Sequence, residues 1–208
     1  MLLVLYILNM VSKYDLASYI IQKLNGEITP LKLQKLLYYV YAWSLVANHK
    51  LSDCTFYAWK LGPVEQDIYH KYKEYKQSTI PVCSEKKSLN ELDKQLIDFI
   101  TDSYKPYSAF DLSTTTHTEK PWKKTTKDLV ITDELMVAFY KNEPFAKNFP
   151  LGINKTYIAP NTNSTKSFSF DMNEVYVPEF NSIDDYLAFI ETHSSSILMN
   201  EFIENLNS

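Results

Sequence analysis

The sequence predicts a mainly α-helical domain that is followed by a smaller mixed α/β region. Three observations support this fold class. Apolar residues recur at helical spacing along residues 12–141, glycine occurs only three times in 208 residues, and the composition changes after Pro144. Scarce glycine disfavours both the tight turns of all-β folds and the loops that bind phosphate. We expect a compact multi-helix body over residues 12–144 and an extension over residues 145–208 that packs on it.

Helices in the body are predicted from polar caps that precede apolar residues at intervals of three and four. Their predicted starts are Ser12, Thr29, Gly62, Ser88, Ser108 and Asp133. Gly62 and Pro63 are interpreted as the cap and the first turn of the third helix, because proline is favoured there. Residues 51–59, which precede this start, are predicted to be irregular or briefly extended.

The two ends of the chain are predicted to differ from the body. Residues 149–163 are rich in Asn, Thr and Pro and should form a long loop, and residues 166–177 should form a small β-hairpin before two short helices. Residues 1–11 form an N-terminal extension. Its apolar segment is far shorter than the roughly 20 residues of a membrane span. Either translation begins at Met10 or the segment is a short packed arm.

The charge and the cysteines limit the possible functions. The net charge is −4 and the pI about 5.6, so the basic excess typical of nucleic-acid binders is missing and nucleic acid is not expected as a partner. Cys54 and Cys83 fit neither a disulfide scaffold nor a zinc site. We interpret them as buried thiols in a reducing compartment and expect a cytoplasmic protein without a membrane segment.

The residues whose side chains could bind a metal or take part in catalysis are better explained by a structural role. His117 and Glu119 are two positions apart, so on a helix they face apart and do not form a metal site. Ser113 and Thr116 offer hydroxyl groups, but the sequence has no nucleophile elbow and no phosphate loop. We therefore expect His117 to be a hydrogen-bonding residue, and we expect no catalytic residue, metal or cofactor.

Lysines and tyrosines occur together in two of the predicted helices, and this pattern leaves two interpretations open. The residues concerned are Lys32, Lys35, Lys71, Lys73, Lys76, Tyr38, Tyr39, Tyr72 and Tyr75. They could form a patch that binds nucleic acid or another anionic partner, or a face that binds a protein. They could also be solvated helix faces on which the lysine stems cover apolar surface, which is the interpretation we favour.

Three segments of the helical body form an ordered set: residues 28–39 (ITPLKLQKLLYY), residues 58–69 (AWKLGPVEQDIY) and residues 112–122 (LSTTTHTEKPW). Taken together, they resemble the signature of the Panacea domain, whose corresponding blocks are xTxLKLQKLLYF, AWxxGPVxxxxY and LSxxTHxxxPW. Each block alone is a weak pattern, whereas the three in this order are specific. The resemblance covers about residues 14–140.

The resemblance implies a mainly helical domain of the kind found in SocA-like and phage-associated GepA-like proteins of bacteria, phages and mobile elements. Many of these proteins are antitoxins of toxin–antitoxin systems that neutralise a toxin by direct protein–protein interaction. One branch is a proteolytic adaptor that delivers its client to an AAA+ protease, and this role is the first alternative for the present chain. A second alternative is a DNA-binding regulator of its own operon. No catalytic residues are carried over, so the chain is not expected to be an enzyme.

The residues of the three blocks are expected either to tie the helices together or to contact a partner. They are Lys32, Lys35, Tyr38, Tyr39, Trp59, Gly62, Pro63, Tyr69, Thr116, His117, Pro121 and Trp122. One possible toxin-facing surface comprises Lys32, Lys35, Tyr39 and Tyr69. The extension after Pro144 departs from a minimal Panacea domain, and partner-specific contacts are expected there.

Overall fold

A computed structural model of the chain describes residues 10–82, 89–152 and 155–162. All of these residues belong to the first of two compact units, Met1–Lys166. The predictions for residues 1–9, for the capping residue Ser88, and for the hairpin and helices after residue 165 lie outside the described residues. No helix in the described ranges has both the length and the apolar character that crossing a membrane requires.

The described residues form a mainly α-helical domain with a small antiparallel sheet, as predicted. The helices are α1 (Lys13–Lys23), α2 (Pro30–Val46), α3 (Gln66–Tyr72), α4 (Glu91–Tyr104), α5 (Ala109–Thr118), α6 (Lys120–Lys124) and α7 (Asp133–Tyr140). Short 3-10 helices lie at Lys73–Tyr75 and Pro144–Asn148. The strands are β1 (Phe56–Trp59), β2 (Gly62–Glu65) and β3 (Val130–Ile131), in the order β2-β1-β3.

Several helix starts follow from local capping. The side chains of Ser12, Thr29 and Ser108 each accept a hydrogen bond from the backbone N–H three residues later, which confirms these predicted caps. Helix α4 begins at Glu91, and the side chain of Asn90 is its cap. These polar residues therefore define where four of the helices begin.

The predicted helix start at Gly62-Pro63 is wrong, because both residues lie in a strand. β1 and β2 form a hairpin in which Trp59 pairs with Gly62 across a two-residue turn. Gly62 has a φ of +95°, which glycine adopts without the cost that a side chain imposes. Pro63 lies on the edge strand β2, where its missing N–H is tolerated. Helix α3 starts only at Gln66.

Helix α2 is the central element of the domain. It packs against α1, α4, α5, α7 and β2, and residues 33–44 are buried without interruption. A helix that is enclosed on all sides buries its polar positions together with its apolar ones. The predicted polar face of α2 is therefore absent at Lys35 and Tyr39, which are both fully buried.

The core continues beyond the predicted domain boundary at Pro144. Phe145 is 1% exposed, and its ring centroid lies 4.8 Å from that of Trp43 on α2. Phe149 stacks on the same Trp43 ring at 5.9 Å. Residues 144–149 therefore pack on the helical body, and the division of the chain at residue 144 stays a prediction.

Candidate functional site

Five side chains hold the backbone of the β1–β2 hairpin, and we call them the hairpin clamp. They are Gln34, Lys35, Ser113, His117 and Trp122, and each hydrogen bonds to the backbone of residues 59–65. Helix α2 contributes the first two, helix α5 the next two and helix α6 the last. The clamp thereby joins all three blocks of the predicted signature around one hairpin.

The α2 side of the clamp binds strand β2. The Gln34 side chain donates to the Glu65 carbonyl oxygen at 3.2 Å and accepts from the Glu65 N–H at 2.9 Å, in the manner of a neighbouring strand. The Lys35 ammonium donates to the Pro63 carbonyl oxygen at 3.1 Å. Burial lowers the pKa of Lys35 to about 7, because the interior solvates the charged amine poorly.

The other side of the clamp binds the hairpin turn. Ser113 donates to the Leu61 carbonyl oxygen at 3.0 Å, and the Trp122 indole N–H donates to the Trp59 carbonyl oxygen at 2.9 Å. The Nε2 atom of His117 lies 2.7 Å from the Lys60 carbonyl oxygen. Three successive carbonyl groups of the turn therefore each bind a different side chain, which holds the turn in a single conformation.

His117 contacts a carbonyl oxygen with each of its ring nitrogens. Besides Lys60, its Nδ1 atom lies 2.6 Å from the carbonyl oxygen of Ser113. A neutral imidazole has one N–H and donates to one of the two oxygens, whereas the doubly protonated ring donates to both. The Trp122 ring packs edge-on against the imidazole, with 4.2 Å between the centroids. These contacts agree with the predicted hydrogen-bonding role of His117, and the described residues contain no group of three or more candidate metal ligands.

Gly62 is the point of closest approach in the clamp. A Cβ atom at this position would lie 2.6 Å from the Thr116 hydroxyl oxygen and 2.7 Å from the Lys35 amine nitrogen. Thr116 is itself buried, and its hydroxyl donates to the Ser113 carbonyl oxygen at 2.7 Å. The glycine is therefore required by the space between α2 and α5 as well as by its backbone conformation.

A second set of buried polar side chains, the glutamate cluster, comprises Glu119, Tyr39 and Tyr140. The Tyr140 hydroxyl donates to the Glu119 Oε2 atom at 2.6 Å and the Tyr39 hydroxyl to Oε1 at 3.3 Å. Burial raises the pKa of Glu119 to about 8, although the two tyrosine hydrogen bonds oppose this increase. In the sequence, Glu119 is conspicuous only as a neighbour of His117, so this cluster was not predicted.

The structure separates the predicted site residues into two groups. The buried ones are Lys35, Tyr38, Tyr39, Gly62, Pro63, Thr116 and Pro121, and the partly exposed ones are Lys32, Trp59, Tyr69, His117 and Trp122. The predicted toxin-facing surface is thus wrong for Lys35 and Tyr39, since a fully buried side chain cannot contact a partner. Lys32 donates to the Lys105 carbonyl oxygen at 2.9 Å.

The partly exposed aromatic residues lie beside the hairpin turn. The Trp59 and Tyr69 rings contact edge-on with 5.1 Å between centroids, and Trp122 bonds to the backbone of Trp59. Lys60 in the turn and His70 next to Tyr69 are exposed. We call Trp59, Lys60, Tyr69, His70 and Trp122 the hairpin face.

The lysines and tyrosines that could form one patch are not brought together on one surface. The Lys71 ammonium lies 5.1 Å from the ring centroid of Tyr14 and 5.6 Å from that of Tyr72. Lys73 and Lys76 are exposed. These three exposed lysines and the buried Lys35 of α2 therefore do not share one surface.

Residues 33–123 match the family model described as antitoxin SocA-like, Panacea domain. The matched Panacea segment includes every residue of the hairpin clamp, which confirms the resemblance predicted from the three blocks. Glu119 and Tyr39 also lie within it, whereas Tyr140 lies beyond its end. No match was found among curated proteins or among solved structures.

Proposed function

We propose that the protein is a non-enzymatic antitoxin, which neutralises a protein toxin in the cytoplasm by direct binding through its hairpin face. The observation that carries this proposal is the match of residues 33–123 to the antitoxin SocA-like Panacea family. The arrangement of the clamp and of the exposed aromatic residues supports it independently.

The buried ionisable groups of the clamp and of the glutamate cluster form their hydrogen bonds within the protein. Lys35 and Glu119 have strongly shifted pKa values, which in an enzyme can mark acid–base groups. Both side chains are buried, however, and their polar atoms bond to the hairpin backbone and to tyrosines. Such groups stabilise a fold and are not positioned to meet a substrate, which supports a binding role.

The hairpin face has the composition expected of a protein-binding surface. Trp and Tyr are enriched among the residues that contribute most to binding energy, because they offer large contact areas with few rotatable bonds. Trp59, Tyr69 and Trp122 are all partly exposed here. Because the clamp already holds the hairpin, little conformational entropy is lost when a partner binds.

Growth assays with the neighbouring gene test this proposal. We would express the open reading frame adjacent to the gene alone, with this protein, and with a Trp59→Ala/Tyr69→Ala variant. The proposal expects growth arrest by the neighbour, rescue by the wild type, and loss of rescue by the variant. A Phe110→Ala variant is the control, because this side chain is 57% exposed on α5 and is not part of the hairpin face.

Purification completes the test. The wild type and the neighbour's product should elute together, and the double variant should elute separately while its melting temperature stays close to that of the wild type. If the wild type and the product elute separately and arrest persists on co-expression, the proposal is wrong for that pair. If the double variant rescues as well as the wild type, the hairpin face is not the binding surface.

A further inference from the structure

A cleft between α6 and α7 forms a second surface, which we call the lysine cleft. It has a volume of about 260 Å³ and is lined by Lys120, Lys124, Leu135, Ala138, Phe139 and Glu143, among others. It shares no residue with the hairpin face. Its volume lies just below the roughly 300–1,000 Å³ of small-molecule sites and suits one or two apolar side chains of a larger ligand.

The floor of the lysine cleft is apolar. Ala138 and Phe139 lie three and four residues after Leu135 on α7, so both are on the same side of that helix as Leu135. Ala138 is exposed, and the other two are partly exposed. The described residues therefore leave an apolar stripe in contact with solvent.

The charged residues that line the cleft are two exposed lysines, Lys120 and Lys124, and the partly exposed Glu143. Neither lysine forms an ion pair with another residue in the part of the chain that the structure describes. Two further exposed lysines, Lys123 and Lys127, lie in the same stretch of eight residues, which contains no acidic side chain. The lining therefore has more positive than negative charge, whereas the net charge of the whole chain is −4.

We propose that the lysine cleft binds a segment of a partner protein in which an apolar side chain is flanked by acidic residues. The apolar side chain would pack on Leu135, Ala138 and Phe139, and the flanking carboxylates would pair with Lys120 and Lys124. Lys120 and Lys124 have no ion-pair partner among the residues that the structure describes, so each would gain an ion pair at the edge of the apolar cleft without losing one there.

Nucleic acid fits the same surface less well. The chain contains no arginine, and arginine is the residue whose planar fork binds phosphate through two parallel hydrogen bonds. An apolar floor also contributes nothing to the recognition of a phosphate backbone. The combination of lysines with an apolar stripe therefore favours an acidic protein segment.

A peptide-display selection on the full chain tests this proposal. Random peptides would be selected for binding to the wild type after removal of those that bind a Lys120→Glu/Lys124→Glu variant. We expect the retained peptides to share an apolar residue between Asp or Glu residues. In fluorescence anisotropy, a labelled peptide from this selection should bind the variant about tenfold more weakly, because two attractive charge pairs become repulsive.

Two further variants separate the apolar floor from general charge effects. Ala138→Glu places a carboxylate on the floor of the cleft at an exposed helix position, and it should also weaken the labelled peptide about tenfold. Lys73→Glu/Lys76→Glu makes the same charge change at exposed lysines outside the cleft, and it should leave binding within about twofold of the wild type. Circular dichroism and melting temperature show whether each variant is folded.

Three results would overturn the proposal. The retained peptides could share no acidic and apolar pattern, or the labelled peptide could bind the Lys120→Glu/Lys124→Glu variant as tightly as the wild type. In the third, a short DNA duplex binds the wild type and not that variant while no peptide is retained, which would make the cleft a nucleic-acid site.

Discussion

The hairpin clamp and the glutamate cluster both bury polar side chains against helix α2, but they use different acceptors. In the clamp, side-chain donors bind backbone carbonyl groups of residues 59–65, which do not ionise. In the cluster, tyrosine hydroxyls bind the carboxyl group of Glu119, which does. The clamp therefore determines the conformation of a hairpin, whereas the cluster connects helices through a group that responds to pH.

The two regions also respond to pH in opposite directions. Lys35, the buried amine of the clamp, has its pKa lowered to about 7, and Glu119 has its pKa raised to about 8. Both changes have the same cause, since burial disfavours the charged form of either group. The comparison shows that one interior can hold an acid and an amine, each shifted toward its neutral form.

The largest effect on stability is expected from a side chain that fills the space next to Gly62 in the clamp. Gly62→Ala places a Cβ atom within 3 Å of Thr116 and Lys35 at a positive φ, so we expect it to lower the free energy of unfolding by about 3 kcal/mol. Gly152→Ala is the control, because a Cβ atom there meets nothing within 4 Å. Urea denaturation measures both, and equal effects would show that the clamp is not tightly packed.

Replacement of Glu119 tests the acidic side of the comparison. Because its pKa in the folded protein, about 8, exceeds its ordinary value of 4.5, the folded state retains a proton that the unfolded chain releases. The wild type should therefore lose stability as the pH rises from about 4.5 to about 8. Glu119→Gln removes this dependence, so the free energy of unfolding of the variant relative to the wild type should increase across that range.

Denaturant unfolding at several pH values measures this difference, and Glu91→Gln is the control because Glu91 is exposed at the start of α4. A Glu119→Gln variant whose stability follows the wild type in parallel from pH 5 to pH 8 would contradict the assignment. The cluster would then hold a carboxylate that is already charged.

Replacement of Lys35 tests the basic side and should change the pH dependence in the opposite direction. Its pKa in the folded protein, about 7, lies below the ordinary 10.5, so between these pH values the unfolded chain binds a proton that the folded protein does not. The wild type should therefore lose stability as the pH falls from 10.5 toward 7. Lys35→Met removes this loss, and the variant should gain stability relative to the wild type as the pH is lowered. Thermal unfolding at pH 7 and pH 9.5 compares them, with Lys94→Met, a change at a partly exposed lysine on α4, as the control.

The smallest expected effect is the loss of one clamp hydrogen bond. Ser113→Ala leaves the Leu61 carbonyl without its donor and should lower the free energy of unfolding by about 1 kcal/mol. Ser103→Ala is a matched control, because Ser103 is similarly buried but bonds only to a carbonyl one turn earlier in its own helix. If the control is as destabilising as Ser113→Ala, the bond to the hairpin has no special role.

The sequence predicts those features that depend on neighbouring residues. Ser12, Thr29 and Ser108 were predicted as helix caps, since a cap and the N–H that it binds are three residues apart. Gly62-Pro63 was interpreted wrongly because a glycine followed by a proline fits both a helix start and the second strand of a hairpin. In the structure, Gly62 and Pro63 pair with Trp59 and Ala58 of β1, and β1 also pairs with the distant β3, which the sequence near Gly62 does not reveal.

The candidate site was predicted in part, because the three blocks identify the residues of the clamp but not their roles. Lys35 was assigned to a polar face, since its position on the helix does not reveal that α5 and the hairpin enclose it. The glutamate cluster could not be predicted, because it depends on Tyr39 and Tyr140 meeting Glu119 across 80 and 21 residues of sequence. Long-range packing alone determines which charges become buried.

Native-state hydrogen exchange tests most directly whether the Panacea signature builds a clamp for the hairpin. We would compare amide exchange in the wild type with that in a Ser113→Ala/Trp122→Phe variant, which loses the bonds to Leu61 and Trp59. If the clamp holds the hairpin, amide exchange within residues 56–65 should be about tenfold or more faster in the variant than in the wild type, while exchange of the α4 amides should change little. Equal acceleration of the hairpin and α4, or an unchanged hairpin, would contradict it.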